Sequence, residues 1–244
     1  MKKMLMTGTA LLLISSSAMA ADLSKPHAAP VYTKAPMMPL YSWSGCYIGI
    51  EGGGAWGTSR HEDVNSVHIT SDYNVSGGLI GGELGCNYQP AGSSWLVGLE
   101  GDLSWTNKKG SGNDIPPFVT ATVSGTEEHW LGTGRARLGW LATPQVLLYG
   151  TGGFAVASVE ADVTPPGFAM FTDTKTRWGW TAGGGLEWAF LPNWSVKAEY
   201  LYVQLQNTGY FGTPISLPGI VIVTRGNVPL NNNIGRVGLN FKLF

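Results

Sequence analysis

The sequence has few charged residues, only two cysteines and almost no net charge. Charged residues make up 13% of the 244 positions, and the formal net charge is −1. Soluble domains average about 25% charged residues, so the scarcity is unusual for that class. A net charge this close to zero gives no electrostatic reason to expect binding of nucleic acid or of an anionic membrane surface.

A long apolar run is also missing once the N-terminal leader is set aside. After residue 20, no stretch of eighteen or more apolar residues occurs, and a transmembrane helix needs about 20. Any membrane span must therefore be built from strands. The sequence is instead rich in glycine (35) and tryptophan (ten). Glycine lets side chains crowd inside a narrow barrel, and tryptophan favours the membrane interface.

The first twenty residues have the pattern of a secretory signal peptide. Lys2 and Lys3 give a positive start, an apolar stretch ends at residues 11–14, and Ala18-Met19-Ala20 offers a cleavage site. We therefore predict a signal peptide over residues 1–20 and a mature chain beginning at Ala21. Residues 21–42 contain four prolines and lack alternation. This predicts a Pro-rich periplasmic tether, with a disordered tail of no function as the alternative.

Alternation of apolar and polar residues dominates the rest of the chain. Between Trp95 and Trp105 every second residue is apolar, and Glu100 and Asp102 lie between them. The pattern recurs in seven more stretches, with all their charged residues on one face, as in strands that face lipid outside and a polar interior. The eight predicted strands lie near residues 43–57, 77–88, 95–105, 130–140, 146–157, 178–190, 194–204 and 234–244.

The segments between the strands alternate in length. Long segments cover residues 58–76, 106–129, 158–177 and 205–233, whereas the short ones at 89–94, 141–145 and 191–193 carry turn residues. Outer-membrane barrels place short turns in the periplasm and long loops outside. We predict an all-β, eight-stranded antiparallel transmembrane β-barrel over residues 43–244, in the outer membrane, with both termini periplasmic. A soluble β-sandwich with similar alternation is the alternative.

The charged face predicts a set of ion pairs inside the barrel. An eight-stranded barrel is just wide enough for side chains to fill, so these charges are expected to pair across the lumen. A narrow gated path for ions is the alternative. The predicted network is Glu51, Glu83, Glu100, Asp102, Arg135, Arg137, Glu187, Lys197, Glu199, Arg236 and Lys242.

The two cysteines and three of the histidines are the remaining candidates for chemistry. Cys46 and Cys86 fall on the lipid-facing parity at one end of adjacent strands, where a cross-strand disulfide is one of two open outcomes. His61, His68 and His129 lie in or beside predicted external loops near carboxylates. Such residues can bind metal or hemin iron, although solvated loop residues are the simpler interpretation.

Catalytic and cofactor motifs are not evident. The glycines between Gly49 and Gly57 lack the strand-to-helix context of a nucleotide-binding loop. No histidine lies within a predicted strand next to a serine on the same face, and His129 has no partner by spacing. We therefore predict neither an enzyme nor a bound cofactor.

Four segments resemble the small outer-membrane immunogenic proteins of alphaproteobacteria. They are residues 18–23, 43–49, 192–202 and 238–244, which together with the tether extend the resemblance over essentially the whole chain. The resemblance implies an OmpA-like, porin-family barrel that is abundant at the cell surface and recognised by host antibodies. Some related members bind hemin, and others are described as porins. Cys46 replaces a usual aromatic residue, and Phe244 stands one position beyond the usual terminal phenylalanine.

The predicted function is therefore a structural and surface-interaction role, as an antigen, with at most weak porin activity. A surface protein that binds hemin or a metal through its external loops is the alternative. The expected partners are outer-membrane lipid and the barrel-assembly machinery, with host molecules or hemin as further candidates and no nucleic acid.

Overall fold

The computed structural model describes residues 41–63, 67–116, 120–211, 215–217, 220–223 and 226–243. The predicted signal peptide, residues 21–40 of the predicted tether and Phe244 lie outside these residues. None of the described residues forms a helix long and apolar enough to span a membrane.

Thirteen strands account for most of the described residues. They are β1 (Gly45–Ser59), β2 (Glu62–Asp63), β3 (Tyr73–Tyr88), β4 (Trp95–Asn113), β5 (Val123–Thr143), β6 (Val146–Thr164), β7 (Phe171–Leu191), β8 (Trp194–Leu205), β9 (Gly209–Tyr210), β10 (Ile215–Leu217), β11 (Ile220–Val223), β12 (Gly226–Asn227) and β13 (Leu230–Lys242). Eight of them close an antiparallel barrel in the order β1-β13-β8-β7-β6-β5-β4-β3, which confirms the predicted fold. The short strands form a three-stranded sheet, β2-β12-β9, and a hairpin, β10-β11.

The short connections all lie at one end of the barrel, which we call the turn end. They join β3 to β4, β5 to β6 and β7 to β8 through residues 89–94, 144–145 and 192–193. The opposite end is the loop end. There the strands run further than predicted, because β4 continues to Asn113 and β5 already begins at Val123. Much of the predicted 106–129 loop is therefore strand.

The polarity of the strands inverts where they extend toward the loop end. In β6, Leu148 and Phe154 point outward and are exposed. Further along, Val159 and Val163 are buried inside, and Glu160 lies on the outer face. A strand in water hides its apolar face, whereas a strand in lipid exposes it. The lipid-facing sequence pattern does not predict these extensions, because their apolar and polar residues alternate as in a sheet exposed to water.

The barrel interior contains three layers of side chains. At the turn end a small apolar cluster, here the turn-end layer, is formed by Trp43, Leu96, Leu147, Tyr149 and Ala189. The middle is occupied by buried charged residues and is the ionic layer. The loop end holds a larger apolar cluster, the loop-end layer, which was not predicted. Its larger members are Tyr73, Leu79, Leu131, Val159, Leu201, Val203, Leu205, Tyr210, Phe211, Leu230 and Ile234.

The residues just before β1 close the turn end. Trp43 is 3% exposed, and its indole Nε1 donates a hydrogen bond to the Pro144 carbonyl at 3.1 Å. The Tyr41 ring packs edge-on against Trp43 with centroids 4.8 Å apart. Residues 41–43 therefore form a stopper that closes the turn end of the barrel.

The two cysteines lie directly opposite each other on β1 and β3. Cys46 and Cys86 are register partners with Cα atoms 4.0 Å apart, and their sulfurs are bonded. The disulfide ties the first barrel hairpin together at the turn end. No free cysteine remains in the part of the chain that the structure describes.

Candidate functional site

The ionic layer is built from inward-facing positions of seven barrel strands. Strand parity directs each of these side chains into the lumen, because residues two apart share a face. Every one of them is buried. The residues are Glu51 on β1, Glu83 on β3, Glu100 and Asp102 on β4, Arg135 and Arg137 on β5, Glu187 on β7, Lys197 and Glu199 on β8, and Arg236 on β13.

Two arginines connect opposite walls of the barrel. Arg135 donates to Glu199 Oε1 at 2.9 Å and to Asp102 Oδ2 at 3.0 Å, and it also contacts Glu100. Arg236 reaches Glu199 Oε2 at 2.7 Å and Asp102 Oδ1 at 3.1 Å. Each guanidinium thus holds carboxylates from different strands, which its planar fork of donors suits.

The turn-end side of the ionic layer is organised around Arg137. Its guanidinium donates to Glu187 Oε2 at 2.6 Å and to the Tyr47 hydroxyl at 2.9 Å. The same group lies 3.9 Å from the ring centroid of Tyr149. Lys197 completes the layer, donating to Glu100 Oε1 at 3.0 Å and contacting Glu83. These side chains are all buried inside the barrel.

Lys242 is an exception to the predicted network, and its assignment was wrong. Its Nζ donates to the Ser42 carbonyl at 2.5 Å and lies 5.5 Å from the Tyr41 ring centroid. The residue has the inward parity, but it stands at the turn-end rim beyond Asn240. Lys242 therefore holds the stopper in place and takes no part in the ionic layer.

A second group of buried charges was missed because it lies in the predicted loops. Lys108 Nζ is 2.8 Å from Glu128 Oε2, and both side chains are 1% exposed. Asn232 Nδ2 donates to the same Glu128 oxygen at 2.7 Å. Arg177 donates to the carbonyls of Gln206 and Val228 at 2.9 and 2.8 Å. Lys108 has the same inward parity as Glu100 and Asp102 and was missed because β4 extends past its predicted end. Glu128 has the opposite parity to Arg135, because an irregularity between Glu128 and Trp130 shifts the parity of β5.

His61 is not a solvated loop residue, contrary to expectation. It is 4% exposed, and its Nε2 lies 3.1 Å from the Gly125 carbonyl, to which the neutral tautomer with its hydrogen on Nε2 donates. Burial lowers the pKa of His61 to about 4. Its ring lies 6.2 Å from that of Tyr73. The imidazole is thus a structural part of the loop-end interior and is not presented to an external ligand.

The other two histidines remain accessible to solvent. His68 is half exposed, and its Nε2 lies 3.5 Å from Glu62 Oε1. His129 belongs to β5 rather than to a loop, with Nε2 3.3 Å from Glu160 Oε2. Among the described residues, no group of three or more His, Cys, Asp or Glu is placed to hold a metal ion.

The outer surface of the barrel carries a broad apolar band between two aromatic girdles. Ile50, Ile80 and Leu99 in this band are 67%, 68% and 68% exposed. Toward the turn end the exposed aromatic residues are Tyr88, Trp95, Trp140, Trp188, Phe190 and Trp194. Toward the loop end they are Trp56, Trp105, Phe154, Trp178, Trp180 and Tyr200. Aromatic girdles of this kind mark the two interfaces of a membrane.

Comparison with known proteins gives matches over nearly the whole chain. The sequence model of the outer membrane protein beta-barrel domain matches residues 8–241. The 31 kDa outer-membrane immunogenic protein of Brucella melitensis is 34% identical over 94% of this chain and 95% of its own length. The 22 kDa outer membrane protein of Rhizobium leguminosarum is 31% identical over 72% and 71%. The crystal structure of OprG from Pseudomonas aeruginosa covers 82% of this chain and 97% of its own, with 16% identity and a TM-score of 0.49.

Proposed function

Because this chain belongs to the outer-membrane protein β-barrel family, we propose that it acts as a structural surface protein, conducts ions weakly at most, and presents its loop end to the outside as an antigen. It is an outer-membrane protein with outer-membrane immunogenic proteins among its relatives. In this proposal the turn end faces the periplasm and the loop end faces the surroundings of the cell.

The filled interior is the observation that carries this proposal. The ionic layer is enclosed by the turn-end layer on one side and the loop-end layer on the other. An ion would have to displace buried apolar side chains twice and separate ion pairs in between. Such a passage is unfavourable, because moving an ion into an apolar environment is very costly unless it is paired. The lumen therefore supports the barrel rather than transport through it.

The loop end provides the surface that a partner or antibody would meet. β6 and β7 are among the longest strands and carry their connecting loop well beyond the girdle residues Trp178 and Trp180. The loop ends in an exposed tip where Phe168 and Met170 are 46% and 59% exposed. A hairpin that extends beyond the girdle with a polar outer face suits recognition from outside, and loops on a rigid scaffold commonly carry binding functions.

An epitope tag tests the proposed orientation. A short tag inserted in the β6–β7 loop at Gly167 should be detected by antibody on intact cells. The matched control places the same tag at Pro144 in the β5–β6 turn, which should be detected only after the outer membrane is permeabilised. Detection of the Pro144 tag on intact cells would contradict the orientation.

Hemin binding is a second candidate function, supported by the imidazole of His68, which at 51% is more exposed than the 41% of His129. The burial of His61 removes one of the three histidines on which this interpretation relied. A hemin titration should give a saturable shift of the absorbance band that His68→Ala abolishes and His129→Ala does not. An unchanged spectrum of the wild-type protein at saturating hemin would remove this candidate.

A further inference from the structure

The ionic layer contains more acids than bases. Its six carboxyl groups face four cations, and all ten side chains are buried. Lys108 and Glu128 form a separate pair nearer the loop end, and Arg177 binds backbone carbonyls there. Unpaired charge in a buried site is strongly unfavourable, and a buried acid usually becomes neutral instead. Additional positive charge is therefore needed to make the ionic layer neutral.

Glu83 is the carboxyl group with the weakest compensation. Among the described residues, each of the other five acids contacts at least one arginine of the layer, whereas Glu83 contacts only Lys197. That ammonium group is shared, because it also lies 3.0 Å from Glu100, 3.8 Å from Glu51 and 4.0 Å from Glu199. One lysine cannot neutralise four carboxylates. If one acid of the layer is neutral, Glu83 is the best candidate.

Glu83 also has an unpaired oxygen that faces a second unpaired oxygen. Gly49 on β1 lies in register between Asn240 of β13 and Glu83 of β3. A Cβ atom at Gly49 would be 2.0 Å from Asn240 Oδ1 and 3.0 Å from Glu83 Oε1, so these two oxygens are within about 5 Å of each other. Neither oxygen has a hydrogen-bond partner among the residues that the structure describes, although Asn240 is 1% exposed and Glu83 5%. Because Gly49 has no side chain, the space between the two oxygens stays open.

Rotating the Asn240 amide does not resolve this conflict. Its Nδ2 now donates to Glu187 Oε1 at 3.1 Å. Exchanging the amide nitrogen and oxygen would satisfy Glu83, but it would turn Asn240 Oδ1 toward Glu187, another acceptor. Glu187 already accepts hydrogen bonds from Arg137 and Ser195. The missing donor therefore belongs on Glu83.

We propose that Glu83 is a proton-binding site of the closed barrel, and that its neutral carboxyl group donates a hydrogen bond to the amide oxygen of Asn240 above Gly49. The proton pairs both unsatisfied oxygens and removes one of the excess negative charges. The charged groups that face it are Lys197 on β8, Glu100 on β4 and Glu51 on β1. A hard metal cation suits the space less well, since such ions take about six or more oxygen ligands.

Infrared spectroscopy of the refolded protein in detergent at neutral pH tests this directly. A protonated carboxyl group gives a C=O stretch separate from the carboxylate bands, and the stretch shifts in D₂O. The wild-type spectrum should contain this band, and Glu83→Gln should lack it. Asn240→Ala should keep the band but move it to higher frequency, because the hydrogen bond is lost. Absence of the band in the wild type, or its persistence in Glu83→Gln, would overturn the proposal.

Unfolding in urea provides a second test that does not depend on the infrared assignment. Glutamine at position 83 mimics a neutral carboxyl group, so the urea midpoint of Glu83→Gln should stay close to that of the wild type. The matched control Glu100→Gln removes a carboxylate held by Arg135, Arg137 and Lys197, and it should lower the midpoint clearly. Equal losses in the two variants would overturn the proposal. So would a sodium- or potassium-dependent midpoint that Glu83→Gln abolishes, because it would identify a metal ion in place of the proton.

Discussion

Replacing Arg236 with methionine should destabilise the barrel strongly. The side chain is 4% exposed, and its guanidinium holds Glu51, Asp102 and Glu199. Methionine fills a similar volume without charge. Removing one partner from a buried ion pair typically costs about 3–5 kcal/mol, because a charge remains buried without compensation. We therefore expect the free energy of unfolding to fall by about 3–5 kcal/mol.

The assay is reversible urea unfolding of the refolded barrel, followed by tryptophan fluorescence. The control is Lys175→Met, which removes a contact to Asp173 at 3.3 Å from a side chain that is 40% exposed. Exposed ion pairs contribute about 0–1 kcal/mol, so this variant should lose no more than that. Equal losses of stability in the Arg236 and Lys175 variants would refute this prediction.

A double substitution separates the loss of the arginine from the charges it leaves behind. Arg236→Met leaves Asp102 with Arg135 as its remaining cation. Adding Asp102→Asn removes one of the uncompensated charges, so the double variant should lose less than the sum of the two single losses. Coupling between residues in contact is typically about 0.5–3 kcal/mol. Simple additivity would indicate that the two groups do not interact.

Three further predictions concern the other parts of the barrel. Reducing the disulfide between Cys46 and Cys86 should lower the stability by up to about 4 kcal/mol, as expected for a closed loop of 40 residues, and urea unfolding with and without reductant measures this. Leu201→Ala, in the loop-end layer at 0% exposure, should cost about 2–5 kcal/mol, whereas Leu99→Ala on the lipid-facing surface should cost less; equal losses would contradict a packed loop end. Stability should also fall as the pH drops from 6.5 toward 4, because unfolded chains protonate His61 more readily than the folded protein does. The loss should approach about 3 kcal/mol, and comparing the pH dependence of unfolding with that of His61→Gln isolates it, since the variant should lack this part of the slope.

The membrane-facing part of the barrel could be predicted from the sequence because lipid imposes a simple pattern. Glu100 and Asp102 between apolar neighbours place the inner and outer faces of β4 without further information. The three short turns also appear where turn residues predict them. These features depend only on local spacing, and the closed sheet follows from the need to pair every strand edge in lipid.

The loop end could not be predicted in the same way, because its strands follow the opposite rule. Val159 and Val163 are apolar and point inward, and Glu160 points outward. The lipid-facing pattern therefore stops before the strands themselves end. Burial of His61 depends on contacts with Gly125 and Tyr73, which are distant in sequence. Such contacts require the strand register, and the sequence pattern does not contain it.

The ionic layer was predicted as a set of inward-facing charges, but its pairing was not. Strand parity identifies Arg135 and Glu199 as inward residues, yet their contact across the barrel depends on strand stagger. Lys242 shows the limit of parity, since it faces inward but stands at the rim, where the nearest acceptor is the Ser42 carbonyl. Position along the barrel axis, as well as the face of the strand, decides which charges meet.

Single-channel recording in planar lipid bilayers tests the central claim most directly. Purified wild-type protein should insert without producing steady conductance steps, because in the proposed closed barrel an ion would have to pass the buried turn-end, ionic and loop-end layers. A parallel measurement of the folded fraction in the same lipid confirms that silent protein is folded. Regular, long-lived open steps from folded wild-type protein would contradict the account of a barrel closed by its own side chains.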